Sequence, residues 1–300
     1  MISFRIFVKT KIQTTMKRTT LLLLLVAFAG CLTAYPQKKE APKRQGWDIE
    51  GNDPLYGNVE SITITRYELA DKFGEIVKGN VADRDVYRFN SKGDATEYCT
   101  YGNSGWVMKN LYTYNSQGKM IEKNFISNGS LLMKYLYKYD AQGNMTEEAW
   151  YKGDGSLDWK YLYKYDAQGN MTEVAWYKGD GSLDSKWKYK YDAQGNMTEE
   201  AEYNSNGLMS SKTIYKYDSQ GNMIELAEYN SNGLMSSKTI YKYDSQGNMI
   251  EQAEYQSDGS LNYKHLYKYD SQGNWIEKTE YKSEIMIPVI MEERVIVYRQ

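Results

Sequence analysis

From residue 59 onward, apolar and polar positions alternate with the period of two that marks a pleated strand with unlike faces. Val59-Glu60-Ser61-Ile62-Thr63-Ile64-Thr65 opens the pattern. In the middle of the chain, Tyr135, Tyr137 and Tyr139 fall on one face and Lys134, Leu136 and Lys138 on the other. Beyond the next turn, Met145, Glu147 and Ala149 alternate with Thr146, Glu148 and Trp150. The segments are about eight residues long and lack a 3.6-residue apolar stripe, so the pattern predicts an all-β chain.

Glycines punctuate these strands. Gly93, Gly118, Gly143, Gly169, Gly195, Gly221, Gly247 and Gly273 recur at 25 or 26 residues, and Gly129, Gly155, Gly181, Gly207, Gly233 and Gly259 at 26. Each ends a four-residue turn with a polar first residue, such as Asp140-Ala141-Gln142-Gly143. This spacing fits a type I turn followed by a glycine in the left-handed region, a common hairpin connection. The result is about eight copies of a 25–26-residue hairpin, and residues 202–225 and 228–251 are identical. Such hairpins predict one continuous antiparallel meander of roughly 16–18 strands, too long to stay flat. We expect a twisted, coiled or spiralling sheet with the Tyr face concave, and atypical ends, 55–82 and 287–298, acting as caps.

The turn also predicts a register. If first and fifth turn residues face each other, Tyr139 faces Met145, Tyr137 faces Glu147 and Tyr135 faces Ala149, with Glu147 opposite Tyr161 across the following turn. The column Glu147, Glu173, Glu199, Glu225 and Glu251 would then accept hydrogen bonds from flanking Tyr hydroxyls such as Tyr137 and Tyr161.

Composition supports a half-buried sheet: 30 Tyr against 6 Phe, with a mean hydropathy of −0.72. Tyr suits a sheet face whose hydroxyls reach partners or water. At the N-terminus, Met16-Lys17-Arg18 precedes an apolar run from Leu21 to Ala29, too short to cross a bilayer. Residues 1–30 are therefore expected to be a signal peptide, with translation starting at Met16. Phe28-Ala29-Gly30-Cys31 resembles a bacterial lipobox, which makes Cys31 the lipidation site; cleavage after Ala34 to a soluble secreted form is the alternative. Residues 31–54 are charged and aperiodic and predict a polar tether, followed by the repeat domain over 55–300. With Cys31 acylated or removed, Cys99 has no partner for an intramolecular disulfide. Losing five basic residues with 1–30 takes the net charge from −2 to −7, which disfavours nucleic acid and anionic membrane surfaces. Membrane contact is expected only through the lipid, placing a monomer in the cell envelope at the outer membrane.

Tyr137-Lys138-Tyr139-Asp140-Ala141-Gln142-Gly143-Asn144 resembles the YD repeat of the RHS family, and the motif recurs at Tyr163–Asn170, Tyr189–Asn196, Tyr215–Asn222, Tyr241–Asn248 and Tyr267–Asn274. Members of that family wrap such repeats into a shell followed by a variable toxin domain. The resemblance implies the sheet; toxin delivery is not expected from so few repeats with Gln300 just after the last strand. Together with the lipobox, the chain is similar to short RHS-repeat lipoproteins of Bacteroidetes type.

Catalytic and metal signatures are missing from the sequence, and neither an enzyme nor a cofactor is expected. His265 is the only histidine and stands where other repeats have Tyr, Trp or Thr, so it is read as packing. Asp140 and its equivalents are read as Asx turns rather than calcium ligands. Trp150 and Trp176, one repeat apart, fall on the expected Lys/Glu face, where they would stack on sugar rings, anchor a protein partner or cover Lys stems. These features together predict a non-enzymatic, lipid-anchored structural or binding scaffold recognising an envelope protein or glycan, alternatively a carbohydrate-binding repeat module. An enzyme or a toxin-associated shell is the remaining reading.

Overall fold

The computed structural model describes residues 47, 54–102, 105, 107–282 and 287–300. The signal region, the Met16 start and Cys31 lie outside the described residues, as does most of the tether. Two long strands open the fold, β1 (Val59–Lys72) and β2 (Glu75–Phe89). Shorter ones follow: β3 (Ala95–Gly102), β4 (Val107–Tyr114), β5 (Met120–Ser127), β6 (Ser130–Tyr139), β7 (Met145–Lys152), β8 (Leu157–Tyr165), β9 (Met171–Lys178) and β10 (Leu183–Tyr191). The second half carries β11 (Met197–Asn204), β12 (Met209–Tyr217), β13 (Met223–Asn230), β14 (Met235–Tyr243), β15 (Met249–Gln256), β16 (Leu261–Tyr269), β17 (Trp275–Lys282) and β18 (Ile287–Tyr298).

Every strand pairs antiparallel with its neighbours in sequence, and β1 pairs with β18 as well as β2. The curl expected of so long a meander therefore runs to completion. The 18-stranded sheet closes on itself as a barrel, which removes both free edges. The atypical ends pair with each other, Ile62 opposite Ile296 and Ile64 opposite Arg294, instead of capping separate edges. Arg299 fastens the seam by donating to the carbonyls of Val59, Phe89 and Asn90. Trp47, which the sequence reading puts in the solvated tether, is fully buried against Tyr87 and Phe89 with ring centroids 4.8 and 5.7 Å away.

The turns form as their residues dictate. In the Asp140 turn, Gly143 N–H donates to Asp140 O and Asp140 N–H to Asn144 O, with Gly143 at φ 88°. Asp140 Oδ1 accepts from Asn144 N–H at 2.8 Å and Oδ2 from the Asn144 side-chain amide at 2.9 Å. The same carboxylate pattern recurs at Asp166, Asp192, Asp218 and Asp244. These are Asx turns whose carboxylates already accept bonds within the turn.

Just past each of these turns the register departs from expectation. Tyr139 faces Met145 as predicted, but Lys138, not Tyr137, faces Glu147, because Met145 and Thr146 together oppose Tyr139 in a β-bulge. The bulge advances β7 by one residue and exchanges its faces. Met145 and Glu148 then point to the same side, and Tyr137 faces Glu148, Leu136 faces Ala149 and Tyr135 faces Trp150. Identical shifts occur between β8 and β9, β10 and β11, β12 and β13, β14 and β15, and β16 and β17.

The column Glu147, Glu173, Glu199, Glu225 and Glu251 consequently stands on the outer wall and pairs with Lys, not Tyr. Nζ–O distances are 2.7 Å for Lys138–Glu147, 2.9 Å for Lys164–Glu173, 2.8 Å for Lys190–Glu199, 2.7 Å for Lys216–Glu225 and 2.8 Å for Lys242–Glu251. The Lys side chains are 61–71% exposed, so solvent screens each pair and it contributes little to stability. Tyr137, Tyr161, Tyr163, Tyr189 and Tyr215 are buried on the inner wall and form the core with Met120, Met145, Met171 and Met197. A second ladder ties neighbouring repeats together. Tyr139 OH donates to Met120 O at 2.7 Å, and Tyr165, Tyr191 and Tyr217 donate to Met145, Met171 and Met197 O at 2.8 Å each.

Candidate functional site on the inner wall

The exchanged faces decide what the interior contains. Trp150 and Trp176, expected among Lys and Glu, stand on the inner wall with the Tyr ladder. Trp150 faces Tyr135 and Trp159, and Trp176 faces Tyr161 and Ser185. The rings form a contact series across β6 to β10. Centroids are 4.9 Å apart for Tyr135–Trp150, 5.6 Å for Trp150–Tyr161 and 5.8 Å for Tyr161–Trp176. Trp159–Trp176 follows at 4.9 Å and Trp176–Trp187 at 6.3 Å, the latter stacked. These separations lie in the attractive range for aromatic pairs.

From β11 onward the wall changes chemistry. The position of Trp150 and Trp176 is taken by Glu202, Glu228, Glu254 and Glu280, and the facing strands supply hydroxyls or imidazole. Ser211 donates to Glu202 at 3.1 Å, Ser237 to Glu228 at 3.0 Å and Tyr263 to Glu254 at 2.8 Å. His265 Nε2 lies 3.4 Å from Glu280, and this contact is the main cause holding the Glu280 carboxyl below its ordinary range. His265 also packs between the Tyr263 and Tyr267 rings. The aromatic and acidic stretches meet where Trp187 faces Glu202.

A second inward position runs through Glu148, Val174, Glu200, Leu226, Gln252 and Lys278. Glu148 is served by two donors, Trp150 Nε1 at 2.7 Å and Tyr163 OH at 3.0 Å. Glu200, 4% exposed, has Glu202 where Glu148 has Trp150, and Tyr215 OH stands at 3.5 Å. Burial, then the charge of Glu202, pushes the Glu200 carboxyl up to about 8. Glu148 and Glu200, which face Tyr137 and Tyr189 just past the turn, escape a reading that counts strictly by twos from it. Their signal in the sequence is the Met-x-x-Glu spacing, which shares a face only if one residue bulges.

Elsewhere, a shallow cleft of about 570 Å³ runs along the turn rim between Asn115–Lys119 and Tyr137–Gly143. Lys119 occupies it, donating to Gly143 O at 3.0 Å and lying 5.5 Å from the Tyr139 ring centre. Among the described residues no three His, Cys, Asp or Glu side chains converge as metal ligands. Cys99 is a buried free thiol.

No curated protein matches the sequence. Among solved structures, a porin-like protein from Bacteroides uniformis aligns at 10% identity with a TM-score of 0.44, covering 86% of this chain and all of the other. A porin-like protein from Bacteroides vulgatus aligns at 13% identity and TM-score 0.29, over 80% of this chain and 98% of the other. The Tc holotoxin pore of Photorhabdus luminescens aligns at 12% identity and TM-score 0.22, over 73% of this chain but 16% of that much longer one. The teneurin YD-shell family model matches residues 138–288, just over half of the sequence and the stretch in which the Tyr-Asp turns, the bulges and the Tyr ladder all repeat. The chain belongs to the teneurin YD-shell family.

Proposed function

We propose that this protein is a non-enzymatic scaffold of the cell envelope, lipid-anchored at Cys31 in the outer membrane, that binds glycan along the aromatic part of its inner wall. The observation carrying the binding role is the row Trp150, Trp159, Trp176 and Trp187, concentrated on four consecutive strands of a wall that from β11 onward has Glu, Ser, Thr, Tyr or His at the same positions. The repeat holds together without these indoles, as its later copies demonstrate, so they serve something other than the sheet. Flat aromatic faces in series suit the apolar faces of successive sugar rings. The closed sheet offers no edge to a second copy, which supports a monomer. The net charge of −7 after signal removal supports a neutral or cationic ligand over nucleic acid.

A glycan array probed with the mature chain, followed by titration of tryptophan fluorescence, tests the binding role. Saturable quenching by a glycan, lost in Trp150→Ala/Trp159→Ala, is expected. Hydrolysis of the glycan, or affinity unchanged in that variant, overturns the reading. Palmitate labelling that vanishes in Cys31→Ser is the expected result for the anchor.

A further inference from the structure

The two walls carry opposite charge, so the net −7 of the mature chain averages over unlike faces. Glu200, Glu202, Glu228 and Glu254 point inward. On the outer wall β6, β8, β12, β14 and β16 each present two Lys, β10 presents three, and each strand between them presents one Glu. Asp158 and Asp184, nearer the far rim, are matched by Lys152 and Lys178. The outer wall is therefore basic.

Across the strands, the register lines these side chains up in rows. The ordinary row runs Lys, Glu, aliphatic, Ala, Lys, Tyr, as in Lys190–Glu199–Ile214–Ala227–Lys238–Tyr255. One row departs from it. Lys164–Glu173–Lys188–Ala201–Lys212–Tyr229 has Lys188 where the rows on either side have Leu162 and Ile214. The sheet accepts an aliphatic residue at that position, so packing does not call for Lys188. Among the described residues only this row sets three Lys in line, each two strands or roughly 10 Å from the next.

The added charge is not cancelled within the wall. Glu173, the cross-strand neighbour of Lys188, is already shared by Lys164 at 2.9 Å and Lys186 at 3.4 Å. Lys188 Nζ lies instead 5.3 Å from the Tyr203 ring centre, and Lys212 Nζ 5.8 Å from that of Tyr229. Lys164 and Lys188 are exposed and Lys212 is half-buried, so all three ammonium groups reach solvent. Ala201 between Lys188 and Lys212 is too short to screen one from the other.

We propose that this row binds a linear acidic polysaccharide carrying one carboxylate per disaccharide. The chain crosses β8 to β12 with successive carboxylates on Lys164, Lys188 and Lys212, and a sugar face between them rests on Tyr203. The spacing selects a dilute polyanion. Duplex DNA carries a charge about every 1.7 Å, far denser than this row, and Glu173 repels the surplus phosphates. A flat anionic bilayer would touch a cylindrical wall along its length, whereas the row runs around its girth.

Calorimetric titration of the mature protein with a hyaluronan hexasaccharide, which bears three carboxylates, tests the site against neutral chitohexaose and a thymidine oligonucleotide. Saturable binding is expected for the hyaluronan fragment alone, weakening between about 50 and 200 mM salt. Lys188→Leu, which restores the residue type of the adjacent repeat and should leave the fold intact, is expected to lower affinity about tenfold, and Lys188→Arg to keep it. Lys264→Leu, elsewhere on the outer wall, should bind as wild type. Trp150→Ala/Trp159→Ala should keep hyaluronan while losing the inner-wall glycan, so either reading can fail without the other. Absent hyaluronan binding, equal binding of the oligonucleotide, or full affinity in Lys188→Leu overturns the proposal.

Discussion

Glu148 and Glu200 occupy the same place in successive Glu-bearing repeats, yet their surroundings differ by one substitution two residues downstream. Trp150 gives Glu148 an indole donor, whereas Glu202 gives Glu200 a second charge. The consequence is measurable without a ligand. Burial and the Glu202 charge push the folded Glu200 carboxyl up to about 8 from an ordinary 4.5, so the folded protein holds this proton more tightly than the unfolded chain. Its contribution to stability is complete below pH 4.5 and drains away as pH rises toward 8. Urea unfolding across that window should show wild-type stability falling relative to Glu200→Gln, and at pH 8 the variant should be more stable by a few kcal/mol. Parallel curves for the two proteins would remove the buried-charge account. A second residue-scale test lies at the tip of the β1–β2 hairpin, where Phe73 sits at φ 58° and is fully exposed. A β-turn with two left-handed residues favours Asn at that position, so Phe73→Asn should stabilise by about 0.5–1 kcal/mol in thermal melts. An unchanged or lowered melting temperature would indicate that Phe73 is held by contacts instead of tolerated there.

At the scale of the hairpin, the sequence discloses its turns more fully than its faces. Asp140, Gly143 and Asn144 each perform a bond or a backbone angle that only a few residue types allow, so the turn is written in the letters themselves. The bulge at Met145-Thr146 has no such mark, since Thr146 needs neither a positive φ nor a missing N–H. Its effect is large all the same: one extra residue moved Glu147 outward to Lys138, brought Glu148 inward, and put Trp150 and Trp176 inside. The inward Met-x-x-Glu pair also leaves the Tyr ladder free to bond backbone, Tyr165 OH to Met145 O at 2.8 Å. Tyr165→Phe strands that carbonyl and should cost about 1 kcal/mol in denaturant unfolding. Tyr139→Phe and Tyr191→Phe, two repeats apart and sharing no partner, should add to within about 0.5 kcal/mol when combined. A combined loss far above the sum would mean that the ladder acts as one cooperative unit.

Closure belongs to the whole molecule, and it was the least legible property because it rests on β1 meeting β18 more than two hundred residues away. No local residue encodes that meeting; it follows from strand number, from twist, and from the bulges that recur through the repeats. Strand number carries a parity condition. In a meander whose strands all alternate in direction, the first and last are antiparallel only when their count is even, as with 18 here. The near-identical repeats allow this to be tested with little change in local sequence. Deleting residues 228–253 removes one whole repeat and joins Ala227 to Glu254, preserving the phase of the Tyr ladder and leaving 16 strands. That protein should close into a narrower barrel, run as a monomer on size exclusion and unfold in one transition. Deleting a single strand with one turn, about half a repeat, leaves 17 and forces β1 and β18 to run parallel, so that Ile62–Ile296 and Ile64–Arg294 no longer face each other. The seam should stay open, exposing two strand edges, and the protein should associate into oligomers or aggregates with a lowered melting temperature. A well-behaved 17-strand monomer would show that closure is dispensable and that the sheet is held by its hairpins alone.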